Sequence, residues 1–398
     1  MTHTTMLTRR RFLSSGVAIG GGLSTRPLAS ALLMSYSHQV WDASNTPEKM
    51  SGRITGDGSL REHAQAHGLL SGAAVDVRLL NSDERYAQVL AEQYNILVAE
   101  GAMKWKALRP AAGKYCFTDG DILVSFAERH KIKVRGHNFV WHEAIPDWFA
   151  STVTKENARQ FLVDHIMTVG GHYAGKMHSW DVVNEAVLPK DGRADGLRKS
   201  IWMELLGPDY IEIAFRTARQ ADPHALLTYN EYGVEYDSDE DEERRMVTLQ
   251  LLRRLKAANV PLDAVGIQSH IKAGSPSTFG QGLRNFMASV REMGLQIFVT
   301  ELDVNEDDLL YDDVARRDRT IADVYRDYLT EVLAEPAVTA VLMWGVSDNH
   351  TWLNNGPTHK KKQPNRPQRS LPFDDNYHPT ESFFAIRDCF DRRKVGGL

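Results

Sequence analysis

From residue 72 onward, short apolar runs alternate with longer stretches of helical period. Eight of the runs read as buried strands: residues 72–77, 94–99, 133–136, 178–183, 226–229, 264–267, 297–300 and 340–343. Between them the spacing predicts helices, among them 119–130 and 240–258, the latter with Val247, Leu251 and Leu255 on one face. Pro261 ends that second helix before the sixth strand, because proline has no N–H to donate and biases the residue before it toward extended geometry. Eight strand-then-helix units predict an α/β fold, a single closed (β/α)8 TIM barrel. A doubly wound open sheet is the alternative, but no glycine-rich phosphate fingerprint follows the first strand.

Polar and aromatic residues gather where these strands end. Two strands lead into a glutamate: Trp180-Asp181-Val182-Val183-Asn184-Glu185 and Val299-Thr300-Glu301-Leu302-Asp303. A carboxyl at the carboxyl end of a parallel strand stands where barrel enzymes place catalytic groups, and two such carboxyls can flank one glycosidic bond. Either alone could equally cap the next helix. The other strand ends supply Glu100 and Lys104, His137 and Trp141, Tyr232, Gln268 and His270, Trp344, and Trp352 beyond it. Amides, carboxylates and lysine can hydrogen-bond sugar hydroxyls, and tryptophan can lie on the C–H faces of the ring. Taken singly, a tryptophan or histidine at such a place ordinarily packs in a core. Their convergence on one end of one barrel favours a sugar site.

These stretches resemble glycoside hydrolase family ten, the endo-1,4-β-xylanase family, over about residues 60–390. Trp180 to Glu185 is similar to the family's acid/base motif, Val299 to Asp303 to its nucleophile motif, and Arg135-Gly136-His137 with Trp141-His142 to its third-strand signature. The resemblance implies hydrolysis of internal β-1,4-xylosidic bonds of xylan with retention, Glu185 acting as acid/base and Glu301 as nucleophile. It implies catalytic support from His270, Asp303 and Asn184. Substrate contacts are implied for Glu100, Lys104, His137, Trp141, Asn184, Tyr232, Gln268, His270, Trp344 and Trp352. Charge on Glu301 would raise the proton affinity of Glu185, and a chain through His270 and Asp303 would keep Glu301 ionised. Where the family commonly has asparagine after the second-strand glutamate, this chain has Gly101, which removes an amide expected to touch the sugar on the glycone side. Two alternatives stay open: a retaining glycosidase of the same barrel clan cutting another β-linked glucan or glycoside, and a catalytically silent polysaccharide-binding barrel.

Composition narrows the setting. With 42% apolar and 25% charged residues the chain is neither disordered nor membrane-embedded in character. Residues 1–31 differ, with Arg9-Arg10-Arg11 leading into a weakly apolar, Gly/Ser-rich stretch that ends Ala29-Ser30-Ala31. They look like a twin-arginine export signal, followed by an irregular stretch over 32–59 and the catalytic domain over 60–398. Four of the 47 basic residues and none of the 52 acidic ones lie in the signal, so its removal takes the net charge from −5 to −9. An acidic mature protein has no electrostatic reason to bind nucleic acid. The expectation is therefore a monomer in the periplasm or the medium, with xylan as partner and no membrane association after signal removal. No cofactor and no metal are expected: the spacing of His137, His142 and Glu143 resembles no zinc motif. Cys116 and Cys389 are expected to be lone buried thiols. A basic loop over 360–369 is a candidate for contact with acidic substituents on xylan, a plain solvated surface loop being the reading preferred, and an acidic run over 235–243 reads as a helix start favoured by the helix dipole.

Overall fold

The computed structural model describes residues 53–355, 362–363 and 365–394. The expected export signal, most of the 32–59 stretch, and Lys360 and Lys361 of the basic loop lie outside the described residues.

Nine parallel strands are present: β1 (Leu70–Val75), β2 (Ile96–Ala99), β3 (Lys133–Val140), β4 (Ser179–Asn184), β5 (Leu226–Glu231), β6 (Ala264–Ile267), β7 (His270–Lys272), β8 (Gln296–Asn305) and β9 (Val338–Met343). Strands β1 to β6 pair in sequence, β6 pairs with β8, β8 with β9, and β9 returns to β1, so eight strands close a barrel. The expected (β/α)8 architecture is what the chain forms. The ninth strand, β7, lies outside the ring and pairs only with the far half of β8, His270 opposite Asp303.

Two apolar layers hold the barrel. Inside, Ala74, Ile96, Val98, Phe298, Ala340 and Leu342 fill the interior beneath Trp344. Outside, Trp180, Tyr229, Leu251 and Tyr325 belong to the larger core between strands and helices. Burial of both faces is why the strands read as continuous apolar runs rather than as alternation. The helix Asp239–Ala257 begins with Ser238 as N-cap, whose hydroxyl accepts from Asp241 N, and with four acids in its first turn, as the charge pattern predicts. Its Leu251 and Leu255 are buried and Val247 packs partly buried beside them.

Several boundaries differ from the sequence expectation for one reason. β3 runs on through His137 and Asn138, and β8 through Glu301 and Asp303, because these polar side chains find partners inside the protein instead of turning to water. The register of β3 on β4, β4 on β5 and β8 on β9 shifts at these positions. Such irregularities re-aim side chains near a site. At the other extreme, β1 stops at Val75 because Asp76 caps the next helix, accepting from Arg78 N.

The cysteines need a correction. Cys389 is buried, but Cys116 is exposed, and both are free. Cys116 falls just before the helix Thr118–His130, where no apolar face covers it.

Candidate active site

The ends of the strands bring the candidate residues into one hydrogen-bonded assembly. Glu301 on β8 is almost fully buried. Its Oε1 accepts from Asn230 Nδ2 of β5 at 2.7 Å, and its Oε2 meets His270 Nε2 at 3.2 Å. The other nitrogen of His270 lies 2.9 Å from Asp303 Oδ1, and Trp352 Nε1 donates to Asp303 Oδ2 at 2.6 Å. This is the chain expected from the sequence, extended at its far end by the indole of Trp352.

Electrostatics separates the two glutamates. Burial alone would raise the Glu301 carboxyl, but the His270 hydrogen bond and the nearby His137, His270 and Lys104 outweigh it and hold it down to about 2. Burial would likewise lower His270; the Asp303 and Glu301 carboxylates reverse that and hold its imidazolium well above the ordinary range. Glu185 goes the other way. Its burial raises the carboxyl, the charge of Glu301 adds to the rise, and the bond from Gln268, the neighbouring Trp141 indole and the field of Arg198 only partly oppose it. One carboxyl is thus ionised and the other inclined to keep a proton.

An amide cluster joins them. Gln268 Nε2 donates to Glu185 Oε1 at 3.0 Å and to Asn184 Oδ1 at 3.3 Å, while Asn184 Nδ2 donates to Glu185 Oε1 at 3.2 Å. Asn230 Nδ2 donates to Asn184 Oδ1 at 2.8 Å as well as to Glu301. The Glu301 carboxylate can only accept, which turns the NH2 of Asn230 toward it, and Thr300 Oγ1 donates to the Asn230 Oδ1 at the other end at 2.8 Å. A β-carbon at Gly266 would overlap the same Asn230 oxygen, so the close approach of β6 requires glycine there.

The remaining expected residues form a rim. His137 is held by Asp181 at 2.9 Å and packs edge-on against Trp344 with ring centroids 5.3 Å apart. Lys104 Nζ stands 4.8 Å from the Trp141 ring and 5.7 Å from the Trp344 ring, and Trp352 lies 5.2 Å from His270. Glu100 is largely buried beside Lys104; burial raises its carboxyl and the lysine partly offsets this. Tyr232 is linked to Glu185 through Arg198, which donates to the Tyr232 hydroxyl at 3.0 Å and lies 3.7 Å from Glu185 Oε2.

Asn230, His142, Arg198, Thr300 and Glu231 join the site without having been assigned a catalytic or substrate contact. Asn230 and Glu231 do end the fifth predicted strand, in the ring of strand-end residues, and His142 and Thr300 lie inside the quoted motifs; Arg198 alone has no place among the strand ends and motifs. His142 Nδ1 lies 3.9 Å from Glu185 Oε2, and burial together with Arg198 lowers its imidazole to about 4, so it faces Glu185 as a neutral ring. Arg198 sits in irregular chain 13 residues beyond Glu185 and carries no local signal. The described cations of the basic loop have partners within the protein. Lys362 pairs with Asp308 and Arg369 with Asp318, and the buried Arg366 donates to the carbonyls of Glu306, Leu309 and Tyr311.

The family model of glycosyl hydrolase family 10 matches residues 59–389. Endo-1,4-beta-xylanase A of Thermoanaerobacterium saccharolyticum is 36% identical over 334 residues, which cover 80% of this chain and 26% of that protein. Exoglucanase XynX of Acetivibrio thermocellus is also 36% identical over 334 residues, covering 80% of this chain and 28% of that protein. This chain therefore spans about a quarter of the length of these two relatives. The crystal structure of native xylanase 10B from Thermotoga maritima superimposes with a TM-score of 0.74 at 33% identity, covering 84% of this chain and 98% of that one.

Proposed function

We propose that this chain, which belongs to glycosyl hydrolase family 10, is an endo-1,4-β-xylanase that hydrolyses internal β-1,4-xylosidic bonds of xylan with retention. The observation that carries the proposal is the opposite proton affinity of Glu301 and Glu185 across one amide cluster. Glu301, ionised, attacks the anomeric carbon. Glu185 gives its proton to the departing glycosidic oxygen. Once Glu301 is esterified its charge is gone, the proton affinity of Glu185 falls, and Glu185 takes a proton from water, which frees the sugar and restores Glu301. Asn184, already bonded to Glu185 and held by Asn230, is placed to bond the sugar 2-hydroxyl in the transition state. Trp141, Trp344 and Trp352 offer stacking faces, and Lys104, His137 and Glu100 offer polar contacts between them.

The substrate class rests on the names of the relatives. One of those names is an exoglucanase, which keeps a β-glucan as the second reading. Purified mature protein incubated with β-1,4-xylan, carboxymethyl cellulose and an aryl β-glucoside separates the two. Release of short xylo-oligosaccharides by wild type and none by Glu301→Ala supports the proposal; release from the glucan alone transfers it to the second reading. In Glu301→Ala, azide should restore turnover of an activated substrate with an inverted product.

The proposal includes export by the twin-arginine route to the periplasm or medium and action as a monomer. It draws on Arg9, Arg10 and Arg11 and the small-residue end of the 1–31 segment. Replacing Arg10 and Arg11 with lysine should leave activity in the cytoplasmic fraction; unchanged export would remove this part.

A further inference from the structure

Glu185 carries a backbone φ of 57°, in the left-handed region that a residue with a β-carbon rarely adopts. Such a conformation persists only where the surroundings over-determine it. The surroundings are explicit here. Glu185 N donates to Asn230 O at 2.9 Å, Arg198 Nε donates to Glu185 O at 2.7 Å, and Arg198 N donates to Ala186 O at 2.8 Å. Val187 is then held at both of its backbone polar groups: its N–H donates to Glu231 Oε2 at 3.1 Å, and its carbonyl accepts from Arg244 at 2.9 Å. Glu231 and Arg244 are both buried and lie 3.7 Å apart as an ion pair. The Tyr229 hydroxyl at 2.5 Å and Tyr232 N at 3.1 Å complete the shell of Glu231.

We propose that the buried Glu231–Arg244 pair is a positioning device for the Glu185 carboxyl: by fixing both backbone polar groups of Val187, and so the two successive peptide units that flank it, the pair holds the left-handed turn that delivers Glu185 to the Gln268 and Asn184 amides. The proposal rests on the acid/base role assigned to Glu185 under the proposed function. A buried ion pair is a poor way to gain stability compared with apolar packing, so its presence beneath one catalytic turn calls for a geometric reason. The same segment places a second buried carboxyl on the other side of the site. Glu235, also buried, accepts from Ser269 N at 2.9 Å, and Ser269 has φ 68° immediately before His270. Glu231 thus serves the acid/base side and Glu235 the nucleophile side.

That division makes the idea testable. In Glu231→Gln the new NH2 group faces either the Val187 N–H, which then loses its acceptor, or the Tyr232 N–H and Arg244, which then loses its counter-charge, so the hold on Val187 weakens in both orientations. A displaced Glu185 matters most where the leaving group needs a proton. The expected result is a fall in kcat/KM of at least about 30-fold on xylo-oligosaccharides but less than about threefold on a dinitrophenyl xylobioside. On the activated substrate kcat and KM should fall together, because water attack on the glycosyl-enzyme still needs Glu185 as base. Glu235→Gln should slow both substrates alike. If Glu231→Gln does not fold, Tyr229→Phe, which removes one donor to Glu231, should give the same discrimination at smaller size. Equal losses on both substrates, no loss, or the same discrimination from Glu235→Gln would each overturn the inference while the function stands. A wild type inactive on both substrates would overturn the proposed function itself.

Discussion

His270 Nε2 stands 3.2 Å from Glu301 Oε2, and this contact is the largest of those that hold a buried carboxyl down to about 2. Without it, burial would dominate, and Glu301 would take up a proton at a higher pH. We predict that His270→Ala moves the acid limb of the kcat/KM profile upward, past the ordinary glutamate range near 4.3. The profile on an activated aryl xyloside isolates this limb, since that substrate does not need protonated Glu185. An acid limb left in place would mean that His137 and Lys104 suffice to hold Glu301 ionised.

Glu185 gives a prediction on stability. Its folded carboxyl is raised by burial and by Glu301, so the folded state binds that proton more tightly than the unfolded chain. The cost to stability is therefore absent below the unfolded value near 4.3, sets in as pH rises through it, and is complete above the folded value. Glu185→Gln keeps an acceptor for Gln268 and removes the charge. Its Tm should equal that of wild type at pH 4 and exceed it at pH 7, a gain at the expense of turnover. A lower Tm at pH 7 would mean that the fold favours the charged carboxylate of Glu185 and not its protonated form.

The basic loop is predicted to serve the fold and not the substrate. Arg369 pairs with Asp318 through two nitrogens, and Arg366 is buried against three carbonyls. Cations so committed are not free to meet uronic substituents. Arg369→Gln should therefore lower Tm and leave the ratio of activity on acidic to neutral xylan unchanged; a changed ratio would return the loop to the site.

Much of this was legible in the sequence because the strands are buried on both faces and the chemistry sits at their ends. Ala264–Ile267 falls where its apolar run predicts; Glu185 directly follows β4, and Glu301 stands just beyond the last pairing of β8 with β6, each with the residues that tune it. What escaped is tertiary. The strand His270–Lys272 is three residues long and pairs with one neighbour only, too short to leave a period. Arg198 looks like any exposed arginine until the fold brings it to 3.7 Å from Glu185. The basic loop misled for the converse reason: a run of cations shows charge, and only the structure shows Asp308, Asp312 and Asp318 waiting opposite.

Gly101 follows Glu100 beside the rim and carries no polar side chain where the family resemblance implies an asparagine. The residue is exposed, its φ is not in the left-handed region, and a β-carbon built there meets nothing within 4 Å. Nothing in the backbone therefore requires glycine. The β-carbon of an asparagine there has open space, and one new hydrogen bond to sugar contributes about 0.5–1.5 kcal/mol. That corresponds to roughly a two- to twelvefold change in affinity. Gly101→Asn should lower KM for xylo-oligosaccharides by such a factor and leave kcat nearly constant, because the contact is made equally in the ground and transition states. Measuring both constants on a series of increasing oligosaccharide length tests the placement as well as the size. A gain that appears once the glycone side is filled puts residue 101 beside the sugar, whereas an unchanged KM along the whole series would put the substrate's path elsewhere on the rim.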